Sequence, residues 1–115
     1  MIAVIFEVEP AEGREADYLA IAAAMRAELE QQPGFVSVER FRSITTPGKL
    51  LSLSFWESEE AVRHWRCHAG HRGAQRAGRD GVFARYRLRV AGVLRDYGMV
   101  ERRDQAPEDS ARLFG

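Results

Sequence analysis

Trp65, His68, His71 and Gln75 fall within one short run, HWRCHAGHRGAQ. An imidazole is the side chain best suited to exchanging a proton near neutral pH. An indole offers a flat apolar wall with one N–H donor. Such groups together could hold a flat molecule, take a proton from it and support the charge that develops. His64, His68 and His71, at spacings of four and three, also suggest a zinc site. Cys67 falls off that helical face, Gly70 breaks the helix before His71, and no acid is spaced to complete the set. No metal site is assigned. Cys67, without a recognisable base, reads as buried filler, and His64 as a solvent-facing neighbour of Trp65.

These residues need a scaffold. Ile2–Glu9 alternates, with Ile2, Val4, Phe6 and Val8 on one side and Ala3, Ile5, Glu7 and Glu9 on the other; both sides begin apolar, which predicts an interior strand. Arg14 to Gln32 predicts a helix, with Tyr18, Ile21, Ala22, Met25 and Leu29 as its apolar stripe. Its other alanines, Ala20, Ala23, Ala24 and Ala27, are expected to let it approach the sheet closely. Pro33-Gly34 stops it. Phe35–Ser43 and Lys49–Trp56 predict two strands joined at Thr45-Thr46-Pro47-Gly48 as an antiparallel hairpin. Leu51, Leu53 and Phe55 share one face of the second of these; Leu50, Ser52, Ser54 and Trp56 share the other.

Ser58 then caps a helix whose first turn carries Glu59 and Glu60, at the positive end of the dipole. Ala61, Val62 and Trp65 point inward. A further short helix is expected over His71–Ala77, and Gly78–Gly81 reads as a turn. Val82–Tyr97 predicts one long strand, in which Ala84, Tyr86, Leu88 and Val90 alternate with Arg85, Arg87 and Arg89 and Gly92 marks a bulge. Such a strand would outrun its neighbours and exchange with a second copy. The order βαββαβ predicts an α+β fold: a four-stranded antiparallel sheet with both helices on one face. The other face also carries apolar residues, and a second copy is the expected cover. Residues 1–97 form the expected domain and 98–115 a polar tail, flexible or docked on the partner.

A chain of 115 residues supports one modest core. The formal net charge is zero, which gives no reason to expect nucleic acid or membrane partners. Charge is unevenly placed: residues 1–34 hold seven acids against Arg14 and Arg26, and residues 57–103 hold eleven arginines against six acids. That asymmetry could steer an anionic ligand or pair two subunits. The single cysteine excludes an intrachain disulfide, and the expected location is cytoplasmic. No apolar run approaches the ~20 residues of a membrane span.

The βαββαβ order, the strand ending in SFWESEEA, Trp65 and the run HAGHRGAQRAGR before the closing strand resemble the antibiotic biosynthesis monooxygenase family. Those are small dimeric α+β barrels of ferredoxin-like fold. They include cofactor-free oxygenases of polyketide quinones, quinol oxygenases and haem-degrading enzymes. In the cofactor-free branch, a tryptophan and an asparagine on the second helix, a nearby tyrosine and an arginine on the last strand form the site. The resemblance sets Trp65 at the tryptophan, His71 near the tyrosine and Arg85 near the arginine, with Ala61 where the asparagine would be. The haem branch places an axial histidine ten residues after the tryptophan, and an asparagine on the first strand. Here those positions are Gln75, and Phe6 or Glu7.

The resemblance therefore implies a homodimeric monooxygenase that acts on a small aromatic or quinol-type substrate without a cofactor. Trp65, His71 and Arg85 would be catalytic, and His68, Gln75, Ser54 and Phe55 would contact substrate. A haem-binding or haem-degrading enzyme is one alternative; a non-catalytic dimeric small-molecule-binding or stress-response module is another.

Overall fold

The structure, a computed structural model, describes residues 1–68, 72–73, 75–76 and 78–108. Strand β1 (Ile2–Pro10) leads through a turn at Gly13, in the left-handed region at φ 75°, into helix α1 (Glu15–Glu30). Strands β2 (Phe35–Arg42) and β3 (Leu50–Trp56) follow as an antiparallel hairpin. Helix α2 (Glu59–Arg66) and an irregular turn at Gly78–Val82 precede strand β4 (Phe83–Gly92). The strands form one antiparallel sheet in the order β2-β3-β1-β4, the expected ferredoxin-like arrangement. Both apolar sets of β1 are explained by its place inside the sheet, between β3 and β4.

Register sorts the side chains. Ile2, Val4, Phe6 and Val8 lie opposite Trp56, Ser54, Ser52 and Leu50 on β3, and opposite Gly92, Val90, Leu88 and Tyr86 on β4. The helices pack on this face. Leu29 of α1 and Ala61 and Trp65 of α2 bury against Trp56, with Ile2 and Val4 beside them. Tyr18 buries against Val8, Leu50 and Val82, with Phe6 and Phe83 at its edge. Trp56 and Val8, each only 1% exposed, anchor the two clusters. Their burial is the main source of stability, at roughly 25 cal/mol for each Å² of apolar surface removed from water.

Gly34 makes the approach of α2 possible. Its φ is 82°, and a side-chain carbon there would stand 2.6 Å from the Ala61 methyl. Glycine serves twice here, in a conformation other residues resist and in a gap they would overfill.

Four expectations need correction. The stripe of α1 faces the core through Tyr18, Ala22 and Leu29, but Ala20, Ala23, Ala24 and Ala27 face solvent. At 3.6 residues per turn they fall outside the arc that meets the sheet, so Ala22 alone provides the close approach. Strand β4 ends at Gly92 rather than Tyr97, because β1 has no residue left to pair with; the last bond is from the Val93 N–H to the Met1 carbonyl, at 3.0 Å. Gly92 pairs with Ile2 in continuous register, and the irregularity lies at Glu9/Pro10 instead. Cys67 is exposed at the end of α2, not buried. Beyond β4 the chain turns at Gly98, whose N–H bonds the Glu101 carbonyl, and Arg103 lies over the Tyr97 ring at 5.6 Å. Residues 109–115, the end of the expected tail, lie outside the described residues.

Candidate functional site

Helix α2 is short, and its ends are secured by side chains. Ser58 is extended, and its hydroxyl accepts from the Ala61 N–H at 3.2 Å. Glu59 and Glu60 occupy the first turn, and Arg63, His64 and Arg66 the last, both complementing the helix dipole. Ala61 and Trp65, four residues apart, share the buried face.

Trp65 carries a histidine. The His68 ring stacks on the indole with centroids 5.4 Å apart and planes inclined by 23°. Its Nδ1 lies 3.4 Å from a carboxylate oxygen of Glu28 on α1. The His68 N–H donates to the Trp65 carbonyl at 2.9 Å, and its own carbonyl accepts from the Arg72 N–H at 3.0 Å. The imidazole is thus aimed by a ring on one helix and a carboxylate on the other, while its side chain stays 34% exposed. An oriented, accessible imidazole can accept a proton from a bound molecule.

The opposite flank of α2 opens toward β4. A cleft of about 480 Å³ lies there, lined by Val62, Arg63 and Arg66 of the helix, by its first-turn acids, and by Val90 of the strand. Val90 is one of three helix-facing side chains on β4 that the helices leave uncovered: Tyr86, Leu88 and Val90 are 64%, 51% and 42% exposed. Phe6 extends this floor inward, with its ring 5.7 Å from Tyr86 and 5.8 Å from Phe83. The floor is bare because β4 is the outer strand, while the helices pack mainly over β1 and β3. An apolar floor beside a wall of two guanidinium groups and two carboxylates suits a flat apolar molecule with a polar edge.

The residues expected to form the site do not all converge. Trp65 and His68 meet. Ser54 is on the helix side of β3, but its hydroxyl accepts from Trp56 Nε1 at 3.0 Å. Phe55 pairs with Ala3 and Ser37 on the face without helices. Arg85 pairs with Glu9 on that same face, their charged groups 3.1 Å apart, so within one subunit the sheet separates it from Trp65. Gln75 is exposed. His71 lies outside the described residues. Glu28, Arg63 and Arg66 were not foreseen. Glu28 looks in the sequence like any exposed helical acid, and only the packing of α1 beside α2 brings it to His68. Arg63 and Arg66 sit three apart next to Val62, a signal that marks one helical flank but not what faces it. Among the described residues, no group of three or more His, Cys, Asp or Glu side chains is placed to hold a metal ion. No helix among them is long and apolar enough to cross a membrane.

The family model described as antibiotic biosynthesis monooxygenase matches residues 1–77. The chain is similar to the jasmonate monooxygenase ABM of Pyricularia oryzae, with 46% identity over 93 residues, covering 81% of this chain and 43% of that protein. It thus spans less than half the length of that relative. It is 37% identical to the uncharacterized protein YqjZ of Bacillus subtilis over 81% of this chain and 79% of that one. Among solved structures, a variant of SnoaB, a cofactor-independent oxygenase from Streptomyces nogalater, superposes with a TM-score of 0.72 at 16% identity, over 83% of this chain and 94% of that one.

Proposed function

Because the chain belongs to the antibiotic biosynthesis monooxygenase family, we propose that it is a homodimeric, cofactor-independent monooxygenase for a small aromatic or quinol-type substrate bound between α2 and β4. The observation that carries this reading is the cleft itself. Its floor is Val90, at the end of the open apolar row of β4, and Arg63 and Arg66 line its helical side together with Glu59 and Glu60.

In this reading the substrate lies on Leu88 and Val90 with its acidic oxygen or carbon toward α2. A histidine that follows α2 takes the proton. His68 is held for this by Trp65 and Glu28, and His71, assigned as base from the family resemblance, is the second candidate. The resulting enolate or phenolate is electron-rich enough to reduce dioxygen. Bond formation at carbon followed by loss of water converts a methylene group to a carbonyl. One methylene and one dioxygen give one ketone and one water, with all four electrons drawn from the substrate C–H bonds. Arg63 and Arg66 stabilise the anion electrostatically. Arg85 faces away from its own cleft, so that charge falls to the α2 arginines. The second copy would cover the apolar end of the other sheet face, around Ile5, Leu51, Leu53 and Phe55.

Oxygen uptake on a panel of anthrones, hydroquinones and jasmonate tests the assignment. The expected result is uptake with at least one of them, reduced about 10²- to 10⁴-fold in His68→Ala or His71→Ala. No uptake across the panel, or full activity in both variants, overturns it. A saturable Soret change on titration with hemin would favour the haem-binding alternative instead.

A further inference from the structure

On the sheet face without helices, register groups the side chains into rows that cross from β2 to β4. One row is Glu39, Leu53, Ile5 and Arg89; the next is Phe41, Leu51, Glu7 and Arg87. On the other side of the first row, Phe55 of β3 stands beside Ala3 of β1. Charge is split between the two edges of this face. Arg85, Arg87 and Arg89 lie on β4, and Lys49 precedes β3. Glu7 takes Lys49 and Arg89, and Glu9 takes Arg85. Within one chain these four cations face two carboxylates, a surplus on the β4 side. The β2 edge carries the opposite sign: Glu39 is exposed and has no ion pair among the described residues of its own chain.

Two copies of this face, stacked with their strands aligned, can be related by a two-fold axis that runs across the strands or along them. An axis across the strands sets β4 on β4 and β2 on β2. Arginines then approach their own counterparts, and Glu39 lies at the opposite edge from every arginine of the partner. Like charges brought together across an interface cost free energy. An axis along the strands sets β4 on the partner's β2, and β3 on the partner's β1, row on row. Glu39 then faces the partner's Arg89, and Phe41 faces the partner's Arg87. Leu53 faces the partner's Ile5, and the large Phe55 faces the partner's small Ala3. The second arrangement joins opposite charges, a ring with a cation, and large with small.

We infer that the two copies pair sheet to sheet about a two-fold axis that runs along the strands, with Glu39 of each copy placed against the partner's Arg87 and Arg89. The inference rests on the dimer of the proposed function and adds its orientation and the contacts that fix it. Arginines at alternate positions of a strand stand roughly 7 Å apart on one face, so a single carboxylate set between them reaches both. Phe41, 43% exposed, offers its ring to the guanidinium of Arg87. Symmetry makes each contact twice. The helices lie on the outer sides of the pair, so both α2–β4 clefts stay open.

Sedimentation of the full chain over a range of concentrations tests the orientation. Glu39→Arg should weaken association about tenfold or more, because it sets a cation against the partner's arginines. Adding Arg89→Glu to it should recover part of the loss. A wild-type dimer that Glu39→Arg leaves unchanged overturns the orientation while the dimer itself stands; a wild-type monomer removes both. Cross-linking gives a second measurement, made in a Cys67→Ser background because Cys67 is exposed. Stacked sheets lie about 10 Å apart, within the span of a short bismaleimide. The pair Glu39→Cys and Arg89→Cys in one chain should yield covalent dimers, and Arg89→Cys alone should not. Covalent dimers from Arg89→Cys alone would place the axis across the strands and overturn the inference, as would a pair that gives none.

Discussion

The imidazole of His68 lies nearly flat on the indole of Trp65, and the same indole closes the core over Trp56. One residue therefore ties the candidate proton acceptor to the packing of α2. Trp65→Ala should cost about 3–5 kcal/mol of stability by opening a cavity. Trp65→Phe should cost much less and keep a ring under His68. Urea denaturation gives the stabilities, and near-UV circular dichroism reports the ordering of the site. A Trp65→Ala protein as stable as wild type would mean that α2 is not held through this side chain.

Gly34 and Ala61 form a close approach between the β2 entry and α2, with no room for a side chain at Gly34. Gly34→Ala should destabilise through both the positive φ, worth about 1–2 kcal/mol, and the contact with Ala61. Adding Ala61→Gly should recover the steric part and leave the conformational part. A double-mutant cycle on thermal unfolding measures that coupling; strict additivity would show that the two sites do not touch.

Acidification should weaken the fold through two named carboxylates. Hydrogen bonds from Lys49 and Arg89 hold Glu7 below its ordinary pKa of 4.5, and Arg42 does the same for Glu15. A carboxyl whose folded pKa is lowered adds stability that is complete above the unfolded value and lost as pH falls through the folded value. Melting temperature should therefore hold steady down to about pH 5 and decline below it. Glu7→Gln and Glu15→Gln should melt below wild type at pH 7 and converge with it at low pH. A gap that persists in acid would assign the loss to packing instead of charge.

The apolar end of the bare sheet face is the expected subunit contact. Leu53→Asp should shift sedimentation from dimer to monomer while leaving the far-UV spectrum unchanged. A wild-type chain that sediments as a monomer would place the dimer contact, and with it this part of the proposed function, in error.

Much of this architecture is legible in the residues themselves. The double apolar pattern of Ile2–Glu9 marks an interior strand, and the Ser58 cap with two following glutamates marks the start of α2, because both depend only on neighbours in sequence. The end of β4 depends on how far β1 extends, so the alternation past Gly92 misleads. The alanines of α1 show the same limit: a helix rich in them has small residues on every side, and only the rotation set by Tyr18, Ala22 and Leu29 decides which are buried. At the candidate site, Trp65 and His68 are local to one helix end and could be read directly. Glu28 comes from another element. The separation of Arg85 from Trp65 is a matter of register, where a shift of one residue would reverse the face.

The arginines at alternate positions of β4 also bear on solubility. As the outer strand of the sheet, β4 offers its backbone edge beside a row of exposed apolar side chains, the combination that invites strands of separate molecules to anneal. Three like charges on its other face make such strand-to-strand annealing electrostatically costly. The chain can thus leave Tyr86, Leu88 and Val90 exposed without offering an adhesive border for such annealing.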